Sequence, residues 1–139
     1  MKRELLNRYK QNKRELALID RQLDRLNDQL ENVPEVSGKV TKSGDDFPYI
    51  EEHVTVRMAE PKTATAIKDR ILEKKTRQQE LMTEIREVEE FISGLPKGME
   101  KNILEMVYLE DMSQRDAAEM VGYTQARVSQ IIQGAMKHL

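Results

Sequence analysis

Apolar residues in the first part of the chain recur in a heptad pattern. Between residues 2 and 33 they are separated by alternating steps of three and four, apart from a gap at Asn12, and almost all other positions are charged or polar. The stripe consists of Leu5, Tyr9, Leu16, Ile19, Leu23, Leu26, Leu30 and Val33. This spacing predicts a long coiled-coil helix with one face against a partner helix. Asn12 falls at a core position, where a polar side chain lowers stability but fixes the register. Pro34 predicts the end of the helix, because it lacks an N–H group.

A second apolar stripe starts after Pro61 and predicts another long helix that ends near residue 92. It consists of Ala64, Ile67, Ile71, Leu81, Ile85, Val88 and Ile92. Lys74 and Gln78 occupy core positions in its middle. Two heptad helices of similar length in one chain favour an antiparallel hairpin, whereas parallel pairing with a second copy would give a dimer. The polar core positions do not decide between these arrangements.

The connecting segment, residues 34–61, has a different pattern. It contains helix-breaking glycines and prolines, β-branched residues such as Val54 and Val56, and a turn cluster at Ser43-Gly44-Asp45-Asp46. These features are typical of strands joined by a turn. We therefore expect a short β-hairpin or a partly ordered loop in this segment.

The Gly and Pro residues of segment 93–98 predict a break before three shorter helices, at residues 99–109, 113–121 and 124–139. The predicted fold is thus mainly α. It consists of a long antiparallel coiled-coil hairpin, residues 1–93 with the insert at 34–61, followed by a small helix-turn-helix domain, residues 94–139. We expect a hinge between the two parts near residues 93–98.

The last two predicted helices have the spacing of a helix-turn-helix. Ala118 is small where the two helices must approach closely, and Gly122 stands where the turn needs a positive φ angle. Thr124 can cap the second helix. Ser113 and Asp116 resemble a capping box at the start of the first helix.

The apolar residues of this motif predict which side of its second helix is exposed. We expect Val128 and Ile131 to pack in a core with Ala118, Met120 and Val121. Helix 124–137 would then lie in the major groove of double-stranded DNA, where Gln reads adenine, Arg reads guanine and Ser serves either. The predicted DNA-binding residues are Ser113, Arg115, Thr124, Gln125, Ala126, Arg127, Ser129, Gln130, Gln133 and Lys137.

The predicted recognition helix carries few cations, namely Arg127 and Lys137. Few cations make few phosphate contacts, so one copy should bind DNA weakly. We therefore expect a homodimer as the DNA-binding form. A three-helix domain that binds protein remains the alternative, since one fold can host unrelated functions.

A series of short motifs runs through the last third of the chain. It comprises Leu95-Pro96-Lys97, Val107-Tyr108-Leu109-Glu110-Asp111-Met112-Ser113, Ala117-Ala118-Glu119, Val121-Gly122-Tyr123-Thr124, Val128-Ser129 and Ala135-Met136-Lys137-His138-Leu139. The series resembles region four, the C-terminal promoter-reading domain of sigma-70-type factors. The resemblance implies that the second motif helix enters the major groove of the upstream promoter element and that the domain contacts the flap region of RNA polymerase. It therefore also implies an alternative to the homodimer, namely a monomer that borrows affinity from RNA polymerase.

The chain departs from that family in two ways. Sigma factors usually carry more Lys and Arg along the final helix, and nothing here resembles region two, which opens the promoter. The architecture is instead similar to small sigma-like regulators of phages and prophages of Gram-positive bacteria. This similarity implies a sequence-specific, DNA-binding transcription regulator. The alternative is a coiled-coil interaction protein whose helix-turn-helix docks on RNA polymerase or another protein.

Composition excludes several other classes. The chain has no Cys and only two His, far apart, so we expect no disulfide, no metal site and no cysteine nucleophile. No phosphate-binding Gly-rich loop or nucleophile elbow occurs, and we expect neither a catalytic site nor a cofactor. No stretch approaches the roughly 18 apolar residues of a membrane span, which favours a cytoplasmic protein without a membrane partner.

Charge limits where DNA could bind. The formal net charge is -2, so DNA binding must come from a local face of the protein. The Arg and Lys residues of the first helix alternate with acidic residues. We interpret them as a solvated coiled-coil face rather than a nucleic-acid-binding stripe.

Overall fold

The computed structural model describes the backbone of residues 1–33, 35–43, 51–59, 61–137 and 139, and the side chains of residues 1–33, 62–137 and 139. The described part is mainly helical, as predicted. Its elements in chain order are α1 (Arg3–Glu31), β1 (Glu35–Ser43), β2 (Glu51–Ala59), α2 (Pro61–Ser93), α3 (Met99–Leu104), α4 (Gln114–Val121) and α5 (Gln125–Met136). A π-helical segment, Glu105–Leu109, continues α3.

Two strands lie in the segment between the long helices. β1 and β2 pair antiparallel, with a register that runs from Glu35 opposite Ala59 to Ser43 opposite Glu51. β-branched residues favour this extended backbone because they fit a pleated surface. The turn cluster that we expected after Ser43 lies outside the described residues.

The contacts divide the chain into two compact units. One unit is Arg21–Thr76, in which the buried apolar residues with described side chains are Leu23, Leu26, Val33, Ile67 and Ile71. All five belong to the two apolar stripes found in the sequence. The other unit combines Met1–Asp20 with Arg77–Leu139. This division differs from the one that we expected at residues 93–94.

The second unit has one core to which both long helices and all the short helices contribute. Its buried members are Leu5, Leu6, Tyr9, Ile85, Val88, Ile92, Ile103, Leu104, Val107, Ala117, Ala118, Val128, Ile132 and Ala135. Leu5 and Leu6 are adjacent in sequence and therefore point about 100° apart on a helix with 3.6 residues per turn. Because both are buried, the start of α1 is covered on a wider face than one heptad stripe provides.

Polar pairs between α1 and α2 fix the relative direction of the two helices within this unit. Arg8 and Asn12 both donate hydrogen bonds to Glu84, at 3.2 and 2.7 Å. Further along α1, Glu15 accepts two bonds of 2.9 Å from Arg77. Partner numbers fall on α2 as they rise on α1, so the helices are antiparallel here. Asn12 is buried, which confirms its predicted core position.

Candidate nucleic-acid interface

Helix α4 begins at a side-chain cap. Ser113 has an extended backbone, and its hydroxyl oxygen accepts a hydrogen bond from the backbone N–H of Asp116 at 3.0 Å. This bond satisfies one of the N–H groups that the first turn of a helix leaves free, and such a cap stabilises a helix by about 1 kcal/mol. This confirms the part of the predicted capping box in which Ser113 caps the helix.

A left-handed glycine makes the turn between α4 and α5. Gly122 has φ 74° and ψ 26°, and its N–H donates to the carbonyl of Ala118. The N–H of Tyr123 also donates to that carbonyl, at 2.9 Å. A Cβ atom at Gly122 would meet no heavy atom within 4 Å. The position therefore needs glycine for its backbone conformation and not for lack of space.

Thr124 starts the second helix of the motif, as predicted. Its backbone is extended, and its hydroxyl oxygen accepts from the N–H of Arg127 at 3.1 Å. Helix α5 begins at the next residue, Gln125. The two caps and the glycine turn hold α4 and α5 in a helix-turn-helix arrangement.

The core of the motif differs from the prediction in one residue. Val128 and Ala118 are buried, and Val121 and Ile131 are half-buried and pack against the same core, as expected. Met120 was predicted in the core, and this is wrong because the side chain is 70% exposed. Ala117, Ala118 and Val121 set the inner face of α4, and Met120 lies about 110° from the middle of that face at 3.6 residues per turn.

The predicted DNA-binding residues are almost all on the surface. Nine are exposed, namely Ser113, Arg115, Thr124, Gln125, Ala126, Arg127, Gln130, Gln133 and Lys137, and Ser129 is half-buried. Arg115 lies 3.9 Å from Glu119 one turn later on α4, an exposed pair that contributes little to stability. Arg127 makes no ion pair with any residue that the structure describes, and it lines a groove with Tyr123 and Ile131. Its guanidinium is therefore available to a ligand.

One neighbour of this surface was missed by sequence reasoning. Arg3, in the first turn of α1, lines a groove of about 430 Å³ together with Gln130, Gln133 and Lys137. Its Nε atom donates a hydrogen bond to the carbonyl oxygen of Met136 at 3.2 Å. The sequence offered an indirect indication, since Leu6 lies outside the heptad stripe and predicts a second neighbour for this end of α1.

The geometry of two capped helices around a left-handed glycine agrees with a comparison to known families. The family model described as "Sigma-70, region 4" matches residues 97–139. This segment is a sigma-70 region 4-like helix-turn-helix. The match leaves the two long helices and both strands outside it. No curated protein and no solved structure gave a significant match to the chain.

Region 4 domains are DNA-binding helix-turn-helix domains and not an enzymatic family, and they bind DNA and RNA polymerase. Within the described ranges, no helix is both long and apolar enough to span a bilayer. The same residues contain no cluster of three or more side chains suited to hold a metal ion.

Proposed function

We propose that this protein is a sequence-specific transcription regulator of the sigma-like type, which reads the major groove of double-stranded DNA with α5. The observation that carries the proposal is the exposed polar face of α5, directly after its threonine cap, in a segment that matches region 4. The N-terminal turns of the second helix of such a motif contact the base edges. The similarity in architecture to small sigma-like regulators supports a phage or prophage origin.

Three side chains on this face have the chemistry to distinguish bases. Arg127 carries a donor fork that matches O6 and N7 of guanine, and Gln125 and Gln130 can each pair with N6 and N7 of adenine. All three are exposed. Ser113 and Thr124 lie at the N-termini of α4 and α5, where backbone N–H groups favour phosphate contacts that set the docking position.

A second candidate function is docking on RNA polymerase or another protein. The observation that favours it is apolar exposure in and beside the helix-turn-helix. Met99 of α3 and Tyr123 line one groove and are exposed by 40 and 39%, and Met120 of α4 is exposed by 70%. Exposed apolar patches mark protein-binding surfaces. The two functions are compatible, because a monomer with few phosphate contacts gains effective affinity when polymerase holds it beside the promoter. A homodimer would also gain affinity for DNA, because two copies double the phosphate contacts.

Selection from random duplex DNA, followed by titration of the selected duplex, tests the proposal. Arg127→Ala should lower discrimination at one base pair by about 1–3 kcal/mol, because one bidentate contact is lost. Gln130→Ala should relax preference at another position. Arg86→Ala, at an exposed position of α2, is the matched control and should leave the preferred sequence unchanged.

Two outcomes would reject DNA reading by α5. One is a folded protein that binds no duplex at low salt. The other is an Arg127→Ala, Gln130→Ala double variant that keeps the original affinity and sequence preference. In either case, loss of polymerase binding by Met120→Glu would support the docking function instead.

A further inference from the structure

The start of α1 lies against the end of the proposed recognition helix, although the two are far apart in sequence. The hydrogen bond from Arg3 to the carbonyl oxygen of Met136 joins residues 133 positions apart. Leu5 and Leu6, two and three positions after Arg3, are buried in the core that also holds Val128 and Ile132 of α5. The position of Arg3 beside α5 is therefore fixed by packing as well as by one hydrogen bond.

Arg3 adds a cation to a face of α5 that has few of its own. It shares a groove with Gln130, Gln133 and Lys137, which lie three to four residues apart and therefore share one side of the helix. The Nε atom is used by Met136, but no described residue accepts a hydrogen bond from the terminal guanidinium nitrogens of Arg3. Those nitrogens carry four N–H donors in a fork that matches phosphate oxygens.

We propose that Arg3 is part of the DNA interface and contacts a backbone phosphate beside the base pairs that α5 reads. The proposal rests on the DNA-binding function proposed above. A helix in the major groove is flanked by phosphates, and cations near its end contact the backbone rather than base edges. Arg3 and Lys137 line one groove at this end of α5, so together they form a cationic pair. The interface thus includes a residue outside the helix-turn-helix.

A purely structural role would also explain the hydrogen bond of Arg3. A cation at the C-terminus of a helix interacts favourably with the helix dipole and caps a free carbonyl. That role affects the stability of the protein, but it does not change the number of counterions released when DNA binds. The salt dependence of DNA affinity therefore separates the two roles.

The experiment titrates the full chain against the duplex chosen by selection, over a range of salt concentrations. Arg3→Gln keeps a donor for the Met136 carbonyl and removes the charge. In a plot of the logarithm of the association constant against the logarithm of the salt concentration, the slope is negative. Losing one phosphate contact should make this slope less steep by about 0.9 and should weaken binding about eightfold at 0.1 M salt. Arg3→Lys keeps the charge and should keep the slope of the wild-type protein.

Arg14→Gln is the matched control, because it removes the same charge from the same helix. Arg14 lies three turns beyond Arg3, roughly 16 Å along the axis, and lines a different groove with Lys13 and Tyr108. This distance exceeds the Debye length of about 10 Å at 0.1 M salt, so the slope should stay unchanged. A thermal melt of each variant checks that it is folded at the assay temperature.

The outcomes separate this inference from the function on which it rests. If Arg3→Gln binds with the wild-type slope while Arg127→Ala loses affinity, Arg3 has no phosphate contact and the reading by α5 stands. A uniform loss of affinity at every salt concentration would likewise assign Arg3 a structural role. A wild-type protein without salt-dependent DNA binding would overturn both proposals. Should Arg3→Gln melt too low, a reduced slope in Arg3→Lys would still contradict the charge-based role.

Discussion

The two ends of helix α1 are buried by different neighbours. Near the start, Leu5, Leu6 and Tyr9 belong to a core that includes all the short C-terminal helices. Near the end, Leu23 and Leu26 belong to a unit whose other buried, described residues are Val33, two positions after the helix, and two isoleucines of α2. A heptad stripe predicts one partner helix in both places. The difference is Leu6, because a buried residue outside the stripe requires a further neighbour.

The largest expected loss of stability comes from removing residues 1–93. We expect the remaining segment, 94–139, to show no cooperative thermal unfolding by circular dichroism, since it loses the six buried residues that α1 and α2 contribute to its core. A small segment stripped of part of its core rarely buries enough apolar surface to offset its conformational entropy. A fragment that melts cooperatively would instead support separable units with a hinge near residues 93–98.

A single core substitution tests whether the start of α1 packs against neighbours beyond one partner helix. Leu6→Ala should lower the free energy of unfolding by about 2–5 kcal/mol, because the side chain is fully buried and leaves a cavity. The matched control is Leu18→Ala on the same helix, where the side chain is 46% exposed, and the loss should stay below about 1 kcal/mol. Chemical denaturation measures both, and equal losses would contradict the assignment of Leu6 to the shared core.

Substitutions at Gly122 should change stability only through the backbone conformation that the new residue can adopt. Gly122→Val should cost about 1–2 kcal/mol or more, because a side chain with a branched Cβ is strained at φ 74°. Gly122→Asn should cost less, since Asn tolerates the left-handed region. Equal stability of the two variants in thermal melts would show that the turn does not impose this φ angle.

The smallest expected effect concerns Tyr9, in the part of α1 that joins the shared core. Burial, and then the hydrogen bond of 3.0 Å that its hydroxyl donates to Glu89, raises the pKa of Tyr9 above its usual value of 10.0. The neutral phenol is thus favoured in the folded protein, so its contribution is complete below pH 10.0 and is lost as the pH rises through the higher, folded-state pKa.

Tyr9→Phe isolates this contribution. The variant should be about 1 kcal/mol less stable than the wild-type protein at neutral pH, because it lacks one hydrogen bond. The difference should shrink above pH 10, where only the wild-type protein must keep a phenol protonated. Urea unfolding at several pH values measures this, and a difference that grows with pH would have the wrong sign for a raised pKa.

Features with a cause close by in sequence could be predicted. The caps at Ser113 and Thr124, the left-handed Gly122 and the break after α2 each depend on neighbours within a few residues. The exposure of the predicted site residues on α5 could also be predicted, because Val128 marks the buried face of this helix and leaves its other faces to solvent. Ser129 departs from this by being half-buried.

Features that depend on distant neighbours could not be predicted. The sequence does not say which helix packs on the second side of α1, so the place of Leu6 and Arg3 beside α5 was missed. The full burial of Ile132, compared with the half-buried Ile131, depends on the angle at which α5 crosses its neighbours. The π-helical segment Glu105–Leu109 has an ordinary helical sequence, and nothing in its composition distinguishes it from an α-helix.

The hydrogen bond between Arg3 and Met136 can form only after both residues have been added to the growing chain. Ribosomes add about 5–20 residues per second, so roughly 7 to 27 seconds pass between these two residues. Leu5, Leu6 and Tyr9 have none of their core partners from other helices until Ile85 is synthesised, and the last buried partner, Ala135, is added just before Met136. Helical proteins with mostly local contacts fold in microseconds to milliseconds, but a core that joins α1 to α5 must form after translation has reached α5. A nascent chain of this protein therefore exposes an apolar helix end that chaperones can bind.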